Sequence, residues 1–393
     1  MSENNVKSMI GKVFNDIANA METGQFGQKV RVGITTFGSE LGVENMVLGA
    51  EMAQKRDNSM EVVLIGPKVD STLTQVVVET EEEGYKVMEK MLDSKEIGAC
   101  VTLHYSFPIG VSTVGKVITP GKGKEMFIAT TTGTSSSHRV EAMVKNGIYG
   151  IITAKAMGLK NPTLGILNVD GARQVERAFK DLISKGYNLK FTESTRADGG
   201  SVMRGNDLLA GTPDVMVTDT LTGNIMMKVF SSYTTGGSYE SQGYGYGPGI
   251  GEGYDRLVLI LSRASGSPVV ANALSYAADL VKGEALTVAK TEFEKANKAG
   301  LKEILAGLTK EVKKEASQEE IKAPEKEPVT GTIDGIDIME LDDAVAVLWK
   351  NGIYAESGMG CTGPIVMVHE SKVSNALGIL AKAGYEVGQA EDC

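Results

Sequence analysis

The 393-residue sequence predicts an α/β protein: a two-lobed, mainly parallel α/β body followed by a small C-terminal α/β module. Three observations predict it. Short β-branched runs alternate with helical patterns from about residue 29 to 309, the mark of βαβ units and a parallel sheet. The length exceeds what one ordinary core encloses, so two or three compact units are expected. Between Lys310 and Pro328, eleven of nineteen residues are charged, and apolar periodicity returns only beyond them. A segment of that composition cannot bury enough surface to order itself. The predicted organisation is residues 1–309 as the two-lobed domain, 310–329 as an exposed linker or a frayed helix end, and 330–393 as the module.

The N-terminal stretch carries Ile10, Val13, Phe14, Ile17 and Met21 at helical spacing, which reads as an amphipathic helix. It lacks the apolar core flanked by basic residues that a secretory signal has. "KVRVGITTF", "MEVVLIGP", "GACVTLHY", "EMFIATT", "TLGILNV", "DVMVTD" and "LVLIL" read as buried strands. "VENMVLGAEMAQKR", "RQVERAFKDLISKG" and "PVVANALSYAADLVKG" read as helices, and a further helix opens near Ser137. In the module, "DDAVAVLWKNG" and "KVSNALGILAKAGY" read as helices, with "PIVMVHE" and "EVGQA" as strands, an α-β-α-β order.

Composition narrows the function. A net charge of −10 argues against a nucleic-acid footprint, which needs a basic face. No run reaches the roughly 18 apolar residues of a membrane span. The cysteines, Cys100, Cys361 and Cys393, are few, odd in number and far apart, as in a cytoplasmic protein with free thiols. There is no G-x-x-x-x-G-K-[ST] motif, and the glycines from Gly243 to Gly253 fall on every second position, which excludes a dinucleotide fingerprint. His104, His138 and His369 lack metal-ligand spacing. Neither a metal nor a bound cofactor is expected.

Three turns offer anion-binding or carbonyl-orienting groups. "TTTGTSSSHRVEAM" puts Thr134, Ser135 and Ser136 ahead of a helix, where hydroxyls and N–H groups suit phosphate or simply cap the helix. "DTLTGNIMMK" reads as a turn between a strand and a helix, with Thr222 and Asn224 as donors and Gly223 allowing close approach to a ligand. Ser262 and Arg263 stand at a strand's end before a helix, where a guanidinium fork suits phosphate oxygens. The eight glycines between Thr235 and Asp255 read as a mobile lid over a cleft. Cys100 reads as core, and Cys393 has no assigned role. Cys361, in "SGMGCTGPIVMVHES", has two readings: a structural turn cysteine, or a thiol whose glycine neighbours let backbone N–H groups face a thioester carbonyl.

"EVVLIGP", "LGILNVDGARQVERAF", "RGNDLLAGTPDVMVTDTLTGNIMMK" and "SRASGSPVVANALSYAA" together resemble the phosphate acyltransferases of fatty-acid and phospholipid synthesis, and more distantly the phosphotransacetylases. The likeness covers roughly residues 30 to 285, with the Thr222-Gly223-Asn224 stretch its most specific part. It implies a two-lobed fold of the isocitrate/isopropylmalate dehydrogenase type and conversion of an acyl thioester and inorganic phosphate into an acyl phosphate. With its linker and tail, the whole chain resembles the component C subunits of the glycine/sarcosine/betaine reductase complexes. That resemblance implies a hetero-oligomer with the beta subunit of component C and the selenoprotein component as partners, and it matches Cys361 to the thiol of the last step. Two features depart from the acyltransferases. Their aspartate-rich first glycine turn reads "TTFGSELG", and their asparagine-containing turn reads "TLHYSFPIG", where His104 is either a replacement group or a buried structural histidine. The function expected from residues and resemblance together is a subunit that carries an acetyl thioester on Cys361 and releases acetyl phosphate by phosphorolysis. The alternatives are a non-catalytic scaffold subunit of the same complex and a free-standing phosphotransacetylase.

Overall fold

The computed structural model describes residues 11, 13, 14, 17, 18, 20, 21, 29–197, 199–315, 322–360, 363–385 and 387–389. The described residues between 11 and 21 are helical, as the spacing predicts, and Val13, Phe14, Ile17 and Met21 are exposed. Ile10 lies outside the described residues.

One mixed sheet runs through the body in the order β3-β2-β1-β4-β12-β11-β5-β6-β10-β7-β8, with β9 also on β7. The first lobe is built on β1 (Val30–Thr35), β2 (Met60–Gly66), β3 (Thr74–Val77), β4 (Ala99–Thr102) and β12 (Val258–Ile260), all parallel. The second is built on β6 (Glu125–Thr134), β7 (Thr163–Leu167), β8 (Lys190–Phe191), β9 (Val202–Met203) and β10 (Val215–Val217), also parallel. Antiparallel pairing occurs where the lobes join, through β5 (Val111–Ile118) and β11 (Gly247–Ile250).

Helices cover the sheet because their apolar stripes have nowhere else to go. In α1 (Val43–Arg56), Met46, Val47, Ala50 and Ala53 are buried, and a Cβ at Gly49 would lie 2.5 Å from Val270, so glycine lets α1 pack closely on a later helix. Further helices follow in chain order: α2 (Glu81–Asp93), α3 (Arg139–Ala156), α4 (Ala172–Ser184), α5 (Gly205–Ala210), α6 (Thr220–Ser232), α7 (Ser267–Lys282), α8 (Ala285–Lys298) and α9 (Leu301–Glu315). The last continues as helix into the stretch the charge pattern marks as linker.

Most of the glycine-rich segment is not a lid. It includes β11, a buried strand joining the two lobes, and its glycines from Gly243 to Gly251 stand against neighbouring backbone or side chains, whereas Gly236, Gly237 and Gly253 face open space. Gly247 has a φ of +82°, and a Cβ there would sit 1.8 Å from the Val114 carbonyl oxygen. Gly247→Ala should therefore cost about 3 kcal/mol or more, from strain and overpacking together. Thermal denaturation checks this, and an unchanged melting temperature would restore the loop reading.

The C-terminal module is a four-stranded antiparallel sheet, β14-β15-β13-β16, rather than an α-β-α-β unit. Its strands are β13 (Gly331–Asp334), β14 (Ala355–Gly360), β15 (Gly363–Val368) and β16 (Gly388–Gln389), with α10 (Leu341–Lys350) and α11 (Val373–Lys382). "SGMG", read from sequence as a glycine turn, belongs to β14: alternation is invisible where glycine replaces side chains. Ile333, Leu348, Val366 and Leu380 belong to a core confined to this module.

Candidate functional site

Where the lobes meet, a cleft of about 350 Å³ opens beside the ends of several strands. The residues after β4 contribute Leu103, His104 and Tyr105; β6 contributes Thr132; α6 contributes Asn224 and Lys228; and the turn after β12 contributes Ser262 and Arg263. The lining holds two fixed cations, Lys228 and Arg263, against one carboxylate, Glu40. That balance suits an anion despite the chain's negative total.

The Ser262–Arg263 turn is pinned on several sides. The Ser262 N–H donates to Ser265 Oγ at 3.2 Å, the Ala264 N–H donates to Ser262 Oγ at 3.2 Å, and the Glu40 N–H donates to the Arg263 carbonyl at 2.9 Å. Ser265 Oγ donates at 3.0 Å to Glu240, which is buried and also accepts from Tyr246 Oη at 3.0 Å. Burial first, and then the Glu240 charge, hold the Tyr246 phenol well above its usual pKa, so it stays a donor. The Lys228 ammonium lies 3.8 Å from Glu240 and keeps more than half its side chain exposed. Arg263 is exposed and has no carboxylate partner among the described residues.

Helix α6 begins earlier than the sequence suggests. Asp219 is its N-cap, accepting from the Thr222 N–H at 3.0 Å and the Thr222 hydroxyl at 2.6 Å. Thr222 is thus engaged in capping and is not among the residues lining the cleft. Gly223 has a packing reason rather than a ligand: a Cβ would lie 1.8 Å from the Thr130 carbonyl oxygen. Asn224 does reach the cleft, with its Nδ2 donating to the Thr131 carbonyl at 2.9 Å. Gly223→Ala should push α6 off β6, lowering stability by about 3 kcal/mol and displacing Asn224 and Lys228 together. Denaturation and phosphate titration of the variant check both effects.

The Ser135 and Ser136 hydroxyls are likewise occupied elsewhere, and Thr134 is not among the residues lining the cleft. Strand β6 runs to Thr134, whose carbonyl accepts from the Gly110 N–H at 2.8 Å. Ser135 is buried and shares hydrogen bonds with Ser112 at 2.7 Å and with Asn146. Ser136 Oγ accepts from the His138 N–H at 3.1 Å, and the His138 ring caps α3 through the Glu141 N–H. The strand extends past the expected turn, and the cleft takes Thr132 instead. His104, weighed as a buried structural residue, is exposed on the cleft.

Sequence reasoning missed Thr132, Tyr246, Glu40 and Lys228. For Lys228 a signal existed: it lies four residues after Asn224, on the same helical face, once residues 220–228 are read as helix. Cys100 is buried in β4 and burial raises its thiol pKa, the state of an inert core cysteine. Cys361 and Cys393 lie outside the described residues. Flanking Cys361, Gly360 and Gly363 are register partners of β14 and β15. Among the described residues no cluster suited to a metal and no helix long and apolar enough to cross a membrane is found.

The family described as fatty acid synthesis protein matches residues 30–367. The chain is 67% identical over 379 residues to the glycine/sarcosine/betaine reductase complex component C subunit alpha of Peptoclostridium acidaminophilum, covering 96% of this chain and 98% of that one. It is 26% identical over 230 residues to the phosphate acyltransferase of Thermotoga petrophila, covering 51% of this chain and 67% of the relative. Among solved structures, 4-hydroxythreonine-4-phosphate dehydrogenase from Klebsiella pneumoniae aligns with 10% identity and a TM-score of 0.40, over 64% of this chain and all of that one.

Proposed function

From a chain that belongs to the fatty acid synthesis protein family, and within it to the component C alpha subunits of glycine/sarcosine/betaine reductase complexes, we propose a subunit that unloads its own acyl thioester onto phosphate. The C-terminal module presents an acetyl group on Cys361, and the cleft between the lobes binds inorganic phosphate. The observation carrying this reading is the convergence of Arg263, Ser262, Lys228 and Asn224 on one cleft. The beta subunit of component C and the selenoprotein component are the partners that supply the two-carbon unit, in the cytoplasm. No resident cofactor takes part, and phosphate is a substrate.

In the reaction, an oxygen of hydrogen phosphate attacks the thioester carbonyl carbon. The new C–O bond forms, the C–S bond breaks, and the electron pair leaves with sulfur. The phosphate proton passes to the thiolate, so acetyl phosphate and the free Cys361 thiol are the products. Arg263 and Lys228 hold the phosphate charge, while the Ser262 hydroxyl and the second Asn224 N–H orient oxygens. Little acid–base chemistry is required, because phosphate is already anionic and thiolate is a good leaving group. Asn224 keeps an orienting role, and the roles expected from sequence of Thr222, Gly223 and residues 134–136 pass to Thr132 and Lys228.

Lys228→Ala tests the anion site directly. Loss of this cation should weaken phosphate binding by roughly tenfold, with a modest fall in melting temperature because buried Glu240 loses its ammonium neighbour. Isothermal titration with phosphate gives the answer, and wild-type affinity in the variant would move the phosphate away from α6.

A further inference from the structure

We infer that the N-terminus of α4 is the dock from which the C-terminal module serves the cleft, and that Asp337 and Glu340 are the residues that seat it. Helix α4 starts from Gly171, which is left-handed and gives no side-chain cap, and its first turn contains no acidic residue. A helix begun this way has no anion in its own first turn to face the positive end of its dipole. The missing anion comes from the module. Asp337, only 5% exposed, accepts from the Arg173 N–H at 3.4 Å. Glu340 accepts from Gln174 Nε2 at 3.1 Å and pairs with the Arg177 guanidinium.

The join is polar. The module's buried hydrophobic core lies within residues 333–380 and the buried residues of the body's clusters end at Leu305, so among the described residues no buried apolar cluster is shared across it. A clasp of a few hydrogen bonds and one ion pair, each a modest net contribution, is a reversible contact. A module that must meet both a loading partner and an unloading cleft needs that kind of contact.

Topology gives the direction in which the docked module faces. Strands β13 and β14 are both antiparallel to β15, so they run the same way and finish at one end of the small sheet. Asp337 and Glu340 follow β13 at that end, and the Gly360/Gly363 end of the β14–β15 hairpin is there too. The module therefore docks by the end that carries the hairpin.

On the body, β6, β10 and β7 are parallel neighbours, so Thr132, the start of α6 and the start of α4 share one edge. Two strand spacings, about 10 Å, separate β7 from β6. Arg139 ties the two helix starts together. Its Nε donates to the Asp170 carbonyl at 3.0 Å, just before α4, and its Nη2 donates to Asp219, the cap of α6, at 3.1 Å. Dock and cleft are thus adjacent features of one rim.

The delivery role rests on the thioester-unloading reading, whereas the dock itself can be judged apart from it. Glu340→Arg in the full chain should speed hydrogen exchange at the amides of residues 172–177 and slow acetyl phosphate release from the acetyl-loaded chain at least ~10-fold, through loss of effective concentration. Phosphate affinity, measured by titration calorimetry, should stay within about twofold because the cleft is not touched. The double variant Arg177→Glu with Glu340→Arg should restore both exchange protection and release. Unchanged exchange in Glu340→Arg overturns the dock. Altered exchange with wild-type release overturns its delivery role. A loaded wild-type chain that gives no acetyl phosphate defeats the unloading reading and the delivery role together, and the exchange result still decides the dock.

Discussion

Arg263→Ala is expected to weaken phosphate binding by about 100-fold, more than any other side-chain change in the cleft. Its guanidinium has no carboxylate partner among the described residues, so its N–H donors are uncommitted. Its backbone is held from the Glu40 side by the hydrogen bond to its own carbonyl, and from the other side through Ser262, Ser265 and buried Glu240. A planar fork on a fixed stem makes two charge-assisted hydrogen bonds to one phosphate, worth roughly 3 kcal/mol. Arg263→Lys keeps the charge and loses the fork, and should fall between, at about a tenfold loss. Kinetics of acetyl phosphate release from the loaded chain should show the effect as a raised half-saturating phosphate concentration. If Arg263→Ala binds phosphate like the wild type, the cleft is not the phosphate site, and the non-catalytic scaffold becomes the better reading.

The parallel architecture was legible because buried parallel strands are nearly continuous β-branched runs. "MEVVLIGP" and "GACVTLHY" read as strands by their short length and β-branched content, and β2 and β4 lie there. Strand β11 was not legible. Gly247, Pro248 and Gly249 give no alternation, and their composition is that of a loop. What makes them a strand is the neighbouring β5 backbone, so close that no side chain fits at Gly247, and a sequence does not display that neighbour. Strand β14 was missed for the same reason.

The candidate site was half legible. Ser262, Arg263 and Asn224 announce themselves by residue type at the ends of readable strands, and all three line the cleft. Hydroxyl-rich turns were misleading, because a hydroxyl can complete a cap as readily as bind a ligand. Thr222 and Ser136 do the first. Which carbonyl or carboxylate claims each hydroxyl is decided by tertiary placement. The docking residues Asp337 and Glu340 carry no local signal at all, since their meaning comes from a helix start some 165 residues earlier that lacks an acid.

Cys361→Ala should abolish the acetyl adduct and reduce acetyl phosphate release from the loaded complex by at least ~1000-fold, the scale of losing a covalent group that acts as one unit with its site. The cleft residues would still bind phosphate, so phosphate affinity should remain that of the wild type. Thiol chemistry predicts a different defect for Cys361→Ser. An acetyl ester on serine would have to expel an alkoxide, far more basic than a thiolate, so any adduct formed should persist through a phosphate chase. Peptide mass spectrometry, with the partner subunit present and before and after phosphate, separates the three proteins. The wild type should gain and lose an acetyl group at residue 361, Cys361→Ala should never gain it, and Cys361→Ser should retain whatever it gains. Full activity of Cys361→Ala with acetyl-coenzyme A would instead identify a free-standing phosphotransacetylase. Loss of the adduct together with retained phosphate binding would divide the work as the fold divides the chain: the module bears the acyl group, and the two-lobed body bears the acceptor.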